Sequence, residues 1–189
     1  MLSAAALAAP PPGTSTAILA GGCFWCLEHD LRQLPGVSEA VSGYTGGSRS
    51  NPTYEDYHDV DAANPAPHVE AVRVSYDPSK LSYAALLDYY YRHIDPTDGG
   101  GQFCDRGPAY RPVVFVGNVP EHKTAEAKKA EVAGQLKQNV AVEVLDAQTF
   151  WPGEDYHQDY ANKNPVRYKY YRWNCGRDQR VEELWQTAP

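Results

Sequence analysis

Apolar positions along the chain recur with two periods, and the change from one to the other marks the elements. Ser15 to Ala20 is a short apolar run that ends at Gly21-Gly22, a strand entering a turn. Phe24, Leu27, Leu31 and Leu34 then fall at helical spacing, and Pro35-Gly36 stops that helix. Val37 to Tyr44 reads as a second strand. Val69 to Tyr76 alternates, with Glu70, Val72, Val74 and Tyr76 on one face and Val69, Ala71, Arg73 and Ser75 on the other. Tyr83, Leu86, Leu87, Tyr90 and Ile94 form the stripe of a second helix. Pro112 to Gly117 is a strand, and Asn118 with Glu121 three residues on resembles a capping box for a charged helix to about Lys137. Val140 to Leu145 is the last strand. A short helix around 156–160, a basic-aromatic tail and a final helix near 178–185 close the chain.

Strands alternating with helices predict an α+β fold, a two-layer α/β sandwich with a mixed sheet. The βαβ-β-αβ order is compatible with a ferredoxin-like core carrying long loops at 45–67 and 95–109. One catalytic domain is expected over 15–189, with 1–14 disordered and 165–189 a C-terminal tail that carries Cys175 and the final helix.

The net charge of −7, with no Lys/Arg run, argues against a nucleic-acid partner. No stretch approaches the roughly 18 apolar residues that cross a bilayer, so no membrane partner is expected. The start lacks a basic n-region, which predicts a cytoplasmic protein, or a periplasmic one if a signal was removed. A monomer is the default, since no apolar stripe is left unassigned. Fourteen Tyr against four Phe put hydroxyls on otherwise apolar walls, whether at half-exposed packing positions or around a polar ligand.

Four cysteines fit neither a dense disulfide scaffold nor an inert chain. Cys23 stands where Gly21-Gly22 meets a helix start, whose free N–H groups and dipole favour a thiolate. A buried structural cysteine is the competing reading. Cys26, three residues on, can share a helix face with Cys23 and oxidise with it. Cys-x-x-Cys is also half a zinc site, but Cys104 and Cys175 form no second knuckle. Phe24-Trp25 point in different directions, so at least one ring is expected to wall a pocket beside the thiol. Glu70, among apolar neighbours, is either a desolvated acid of raised pKa or a strand end that reaches water. His68 is read as an exposed loop residue.

Read in order, Gly-Gly-Cys-Phe-Trp-Cys, Leu-Pro-Gly-Val, Ser-Gly-Tyr-Thr-Gly-Gly, Asn-Pro-Thr-Tyr, His-Val-Glu-Ala-Val, His-Ile-Asp-Pro-Thr and Gly-Glu-Asp-Tyr-His-Gln-Asp-Tyr resemble peptide methionine sulfoxide reductase A. The resemblance runs from Ala17 to Trp185. It implies that Cys23 attacks the sulfoxide sulfur and that Phe24 and Trp25 hold the substrate methyl group. It implies Glu70 as the acid on the sulfoxide oxygen, with Tyr54 and Tyr110 as hydroxyl helpers. Asp105, His157 and Tyr160 match further residues of the substrate site. The family acts on the S epimer, uses no metal or organic cofactor and is recycled by thioredoxin.

Attack leaves methionine and a sulfenic acid on Cys23, which a second thiol converts to a disulfide. The resemblance points to Cys175, with Gly176 giving it freedom to move; Cys26 is the nearer alternative, where many relatives carry Gly. Cys104 is read as packing. Tyr57-His58-Asp59 departs from the small-residue version common in the family, at the pocket rim. A thioredoxin-like disulfide oxidoreductase would also explain Cys-x-x-Cys, and a zinc-stabilised or aromatic-rich binding module would explain the Cys and Tyr counts.

Overall fold

Alternating apolar residues in the first strands give a sheet that is buried on one face by helices and on the other by loops. The structure, a computed structural model, describes residues 12–186. The chain forms β1 (Ser15–Ala20), α1 (Phe24–Arg32), β2 (Val37–Thr45), β3 (Val69–Tyr76), α2 (Tyr83–Tyr91), β4 (Gly101–Gln102), β5 (Asp105–Arg106), a 3₁₀ turn (Pro108–Tyr110) and β6 (Val113–Val116). It continues through α3 (Val119–Leu136), β7 (Glu143–Asp146), β8 (Trp151–Pro152), α4 (Tyr160–Lys163), α5 (Pro165–Asn174) and α6 (Arg177–Gln186).

The main sheet runs β7-β6-β1-β3-β2-β8. Its centre, β6-β1-β3-β2, is antiparallel throughout, the strand order of a ferredoxin-like core. β7 adds in parallel to β6 after the crossover through α3, which makes the sheet mixed. Leu27 and Leu31 of α1, Leu86 and Leu87 of α2 and Val132 of α3 share one core with Leu19, Val72, Val74 and Val114. Ala20, Ala71, Val113 and Phe115, one residue out of phase, pack in a second cluster on the opposite face. Asn118 caps α3 by accepting from the Glu121 N–H at 2.9 Å, while the Glu121 carboxylate reaches back to the Gly117 N–H.

The loops and the C-terminus differ from expectation. The segment 95–109 contains the β4–β5 hairpin, two residues a strand and too short for periodicity to register. β8 is an equally short edge strand, its Pro152 tolerated because an edge needs no further donor. The basic-aromatic tail is a helix, α5, started by Pro165 at its first turn. Gly176 does not loosen it: at φ 66° it ends α5 and its N–H closes on the Trp173 carbonyl. α5 and α6 are then fastened by Arg172 to Asp30, Arg177 to the Gly21 carbonyl and Arg180 to Asp95. The expected disorder of 1–14 falls mostly on residues 1–11, outside the described residues. Among the described residues no helix is long and apolar enough to cross a membrane.

Candidate active site

β1 ends in a turn whose glycines are required by packing. A Cβ on Gly21 would meet Ile94 at 2.6 Å, and one on Gly22, at φ 81°, would meet Gln102 at 2.5 Å. The glycines thus seat the turn against α2 and β4, rather than clearing space for a ligand. Cys23 follows as the N-cap of α1, and its carbonyl accepts from the Cys26 and Leu27 N–H groups. The free N–H of Phe24 points at β3 and donates to Glu70 Oε2 at 2.9 Å. The helix N-terminus therefore holds a carboxyl.

That carboxyl is 2% exposed, so the strand-end reading of Glu70 is set aside. Burial raises its pKa to about 8, against the hydrogen bonds from Phe24 and Tyr57, which favour the ionised form. Glu70 is mostly neutral at pH 7.

Cys23 and Cys26 are both buried and free. Burial, the Cys26 sulfur and the Glu70 carboxyl push the Cys23 thiol well above its usual value, while a hydrogen bond from Tyr171 pulls weakly the other way. Cys26 moves down to about 7, because the Cys23 thiol donates to it and Arg177 and Arg172 add positive charge against its burial. The thiolate expected on Cys23 is therefore shared with Cys26 through one hydrogen bond. The helix donor meant for it is taken by Glu70, and the arginines of the C-terminal helices lie on the Cys26 side. The pair gives up one proton near neutrality and holds the second tightly.

Trp25 and Phe24 part company. Phe24 is buried against Tyr44 and His157. Trp25 stacks on Tyr160 at 3.7 Å, donates its indole N–H to His157 Nδ1 at 3.0 Å, and lines a cavity of about 370 Å³ with Tyr54, Tyr156 and Tyr171. Since Nδ1 accepts, His157 carries its proton on Nε2, and burial keeps the ring neutral. A second cavity of about 360 Å³, lined by Tyr54, Tyr57, His58, Pro108 and Tyr110, adjoins the first at Tyr54.

The sequence-derived residues divide into three groups. Cys23, Cys26, Glu70, Phe24, Trp25, His157 and Tyr160 assemble around the start of α1. Tyr54 and Tyr110 stand at the cavity walls; burial raises both hydroxyls, Tyr110 to about 12. Asp105 accepts from the Tyr171 hydroxyl. Cys175 is bonded to Cys104 across 71 residues, and its sulfur lies within 4.8 Å of an Asp105 carboxylate oxygen. Cys104 is thus a disulfide partner, correcting its reading as packing. Two tyrosines were missed. Tyr57 donates to Glu70 Oε1 at 3.0 Å, and Tyr171 bridges Cys23 and Asp105. Tyr57 sits in the departure from the family pattern, a signal that was visible; Tyr171 sits in the tail, where no periodicity singled it out. His68, expected in an exposed loop, is 1% exposed and ties Gly47 N–H to the Arg49 carbonyl.

A buried dithiol beside a neutral carboxyl and hydroxyl donors is the site of a thiol-dependent reductase of an oxygen-bearing group. The match to the peptide methionine sulfoxide reductase description over residues 15–189 specifies it, and the chain belongs to that family. It is 50% identical to peptide methionine sulfoxide reductase MsrA 2 of Caulobacter vibrioides, over 98% of this chain and 92% of that one. It is 49% identical to peptide methionine sulfoxide reductase MsrA 2 of Rhizobium meliloti, over 89% and 82%. Among solved structures it is similar to reduced Mxr1 of Saccharomyces cerevisiae, with 28% identity, a TM-score of 0.74, and 82% of this chain and 88% of that one covered.

Proposed function

We propose that the protein reduces methionine S-sulfoxide, free or in proteins, to methionine, with Cys23 as nucleophile and Glu70 as acid. The observation that carries this is the Phe24 N–H to Glu70 Oε2 bond, which sets a neutral carboxyl one residue from the Cys23 sulfur. Cys23 Sγ attacks the sulfoxide sulfur while its proton passes to the Cys26 thiolate, to which it is already hydrogen-bonded. Glu70 gives its proton to the sulfoxide oxygen, with Tyr54 and Tyr110 donating to the same oxygen. Collapse transfers that hydroxyl to Cys23, releasing the thioether and leaving a sulfenic acid. Trp25 and Phe24 hold the methyl group, and Asp105, His157 and Tyr160 fix the walls.

Cys26, protonated in the first step, then attacks the sulfenic sulfur, expelling water and forming the Cys23–Cys26 disulfide. Cys26 is given this step because its sulfur is hydrogen-bonded to that of Cys23, whereas Cys175 is bonded to Cys104. An external dithiol protein, thioredoxin, returns the pair to its reduced form without metal or organic cofactor. The protein acts as a monomer, without nucleic acid or membrane. Its cytoplasmic setting requires that the Cys104–Cys175 bond resist the cytosolic dithiol pool; a cystine otherwise belongs to an oxidising compartment. Counting free thiols in protein taken from each compartment decides this.

The test of the activity is turnover of a peptide carrying methionine S-sulfoxide, with thioredoxin as reductant, against the R epimer. Reduction of the S epimer alone is expected. No turnover of either, with both thiols intact, would remove this reading.

A further inference from the structure

Tyr57 matches none of the family motifs in the sequence, yet its hydroxyl occupies the middle of the acid end. The ring is 3% exposed and stacks on Tyr44 at 4.8 Å and Tyr54 at 5.8 Å. Its N–H donates to the Thr53 carbonyl and its carbonyl accepts from the His68 N–H, both at 2.9 Å. Buried His68, bonded to Gly47 and Arg49, clamps this part of the loop against the start of β3. From that fixed place the Tyr57 hydroxyl lies 3.0 Å from Glu70 Oε1 and 3.4 Å from the Tyr110 hydroxyl.

A hydroxyl has one proton to donate, so Tyr57 serves one neighbour at a time. When Glu70 is ionised, Tyr57 donates to Oε1. When Glu70 is neutral, the Phe24 N–H keeps Oε2 as an acceptor, so the proton belongs on Oε1. Tyr57 can then accept from Oε1 and turn its own proton toward Tyr110, on the cavity wall.

We infer that Tyr57 is a positioning residue for the reduction, acting through Glu70: its hydroxyl fixes which carboxyl oxygen carries the proton and links that oxygen to Tyr110. This rests on Glu70 being the acid. The other titratable groups around Glu70 are Cys23 and Cys26 from α1, Asp105 from β5, Tyr44 from β2, and Tyr54 and Tyr110 from the loops. These are acids. Tyr57 stands out among them as a hydroxyl that donates directly to the carboxyl and so favours its ionised form.

Tyr57→Phe keeps the stacked ring and deletes the hydroxyl. A drop in kcat of about tenfold is expected, with KM within about twofold. The alkaline limb of kcat/KM moves up by about one pH unit, since the lost donor had favoured the ionised carboxyl. Tyr110→Phe moves that limb the other way, because Tyr57 is left with Glu70 as its one acceptor. In a Glu70→Gln background, Tyr57→Phe should change the single-turnover rate by less than about twofold. Titration of the Glu70 carboxyl by ¹³C NMR, assigned by its loss in Glu70→Gln, follows the same shifts without turnover. An unmoved titration in Tyr57→Phe, equal shifts in both Phe variants, or a full loss persisting in Glu70→Gln would overturn the inference. If the wild type reduced no sulfoxide, the proposed activity would fail while the carboxyl titration still decided the role of Tyr57.

Discussion

The protein holds two pairs of cysteines that differ in every respect that governs thiol chemistry. Cys23 and Cys26 are three residues apart on one helix start, buried and reduced, with a carboxyl on one side and arginines on the other. Cys104 and Cys175 are 71 residues apart and bonded, and Cys104 is exposed. Burial and a shared proton set how the first pair titrates. The second closes a long loop and pins the β4–β5 hairpin, with Asp105, to the end of α5, which carries Tyr171. In the proposed mechanism the first pair carries the chemistry and the second holds the wall it works against.

The sharpest way to break this contrast is to remove each sulfur in turn. Cys23→Ser is expected to lower sulfoxide turnover roughly 1,000-fold or more, since it removes the proposed nucleophile. Cys26→Ser, lacking both the acceptor of the Cys23 proton and the resolving thiol, should release one methionine per enzyme more slowly than wild type and then stall, with steady-state turnover down about 100-fold. Cys175→Ser should keep cycling. A stall in Cys175→Ser, with continued turnover in Cys26→Ser, would exchange the roles of the two pairs.

The first pair was legible in the sequence and the second was not, for a physical reason. Cys23 and Cys26 lie within one helical turn at the head of the α1 stripe, and Glu70 lies on an alternating strand, so local periodicity places each of them. The ferredoxin-like centre of the sheet was legible in the order of strands and helices. Cys104 and Cys175 meet through tertiary packing between a two-residue-strand hairpin and a helix rich in Tyr and Arg, and neither has a period to read. The resemblance pointed to Cys175 as the resolving thiol, with Gly176 expected to free its segment. The Arg172, Arg177 and Arg180 contacts that immobilise this segment pair residues more than 80 positions apart, beyond any local pattern.

Glu70 gives the contrast a charge signature. kcat/KM should trace a bell, rising through about 7 as the thiol pair gives up its proton and falling through about 8 as Glu70 loses its own. Glu70→Gln should lower kcat about 100-fold and abolish the alkaline limb while leaving the acid limb. Stability has the opposite sign. The folded carboxyl keeps its proton between about pH 4.5 and 8 while the unfolded one has lost it, so the native state binds more protons and its stability falls as pH rises through that window. Glu70→Gln removes that cost. Urea unfolding at pH 8 should show the variant more stable than wild type by roughly 4 kcal/mol, with the gain vanishing near pH 4.

The second pair makes the smallest demand on activity and the clearest one on stability. A cross-link closing 71 residues stabilises by about 4 kcal/mol in the chain-entropy picture, and measured values fall at or below this. Cys104→Ser with Cys175→Ser should therefore lower the unfolding midpoint by about 10 °C in calorimetry. Single-turnover reduction should change less than about threefold, since Arg172, Arg177 and Arg180 still hold α5 and α6 in place. KM should carry what change there is, because the hairpin bearing Asp105 gains freedom next to Tyr171. A loss of the single-turnover rate as large as that of Glu70→Gln would mean that the disulfide takes part in the chemistry, and the division between the two pairs would not stand.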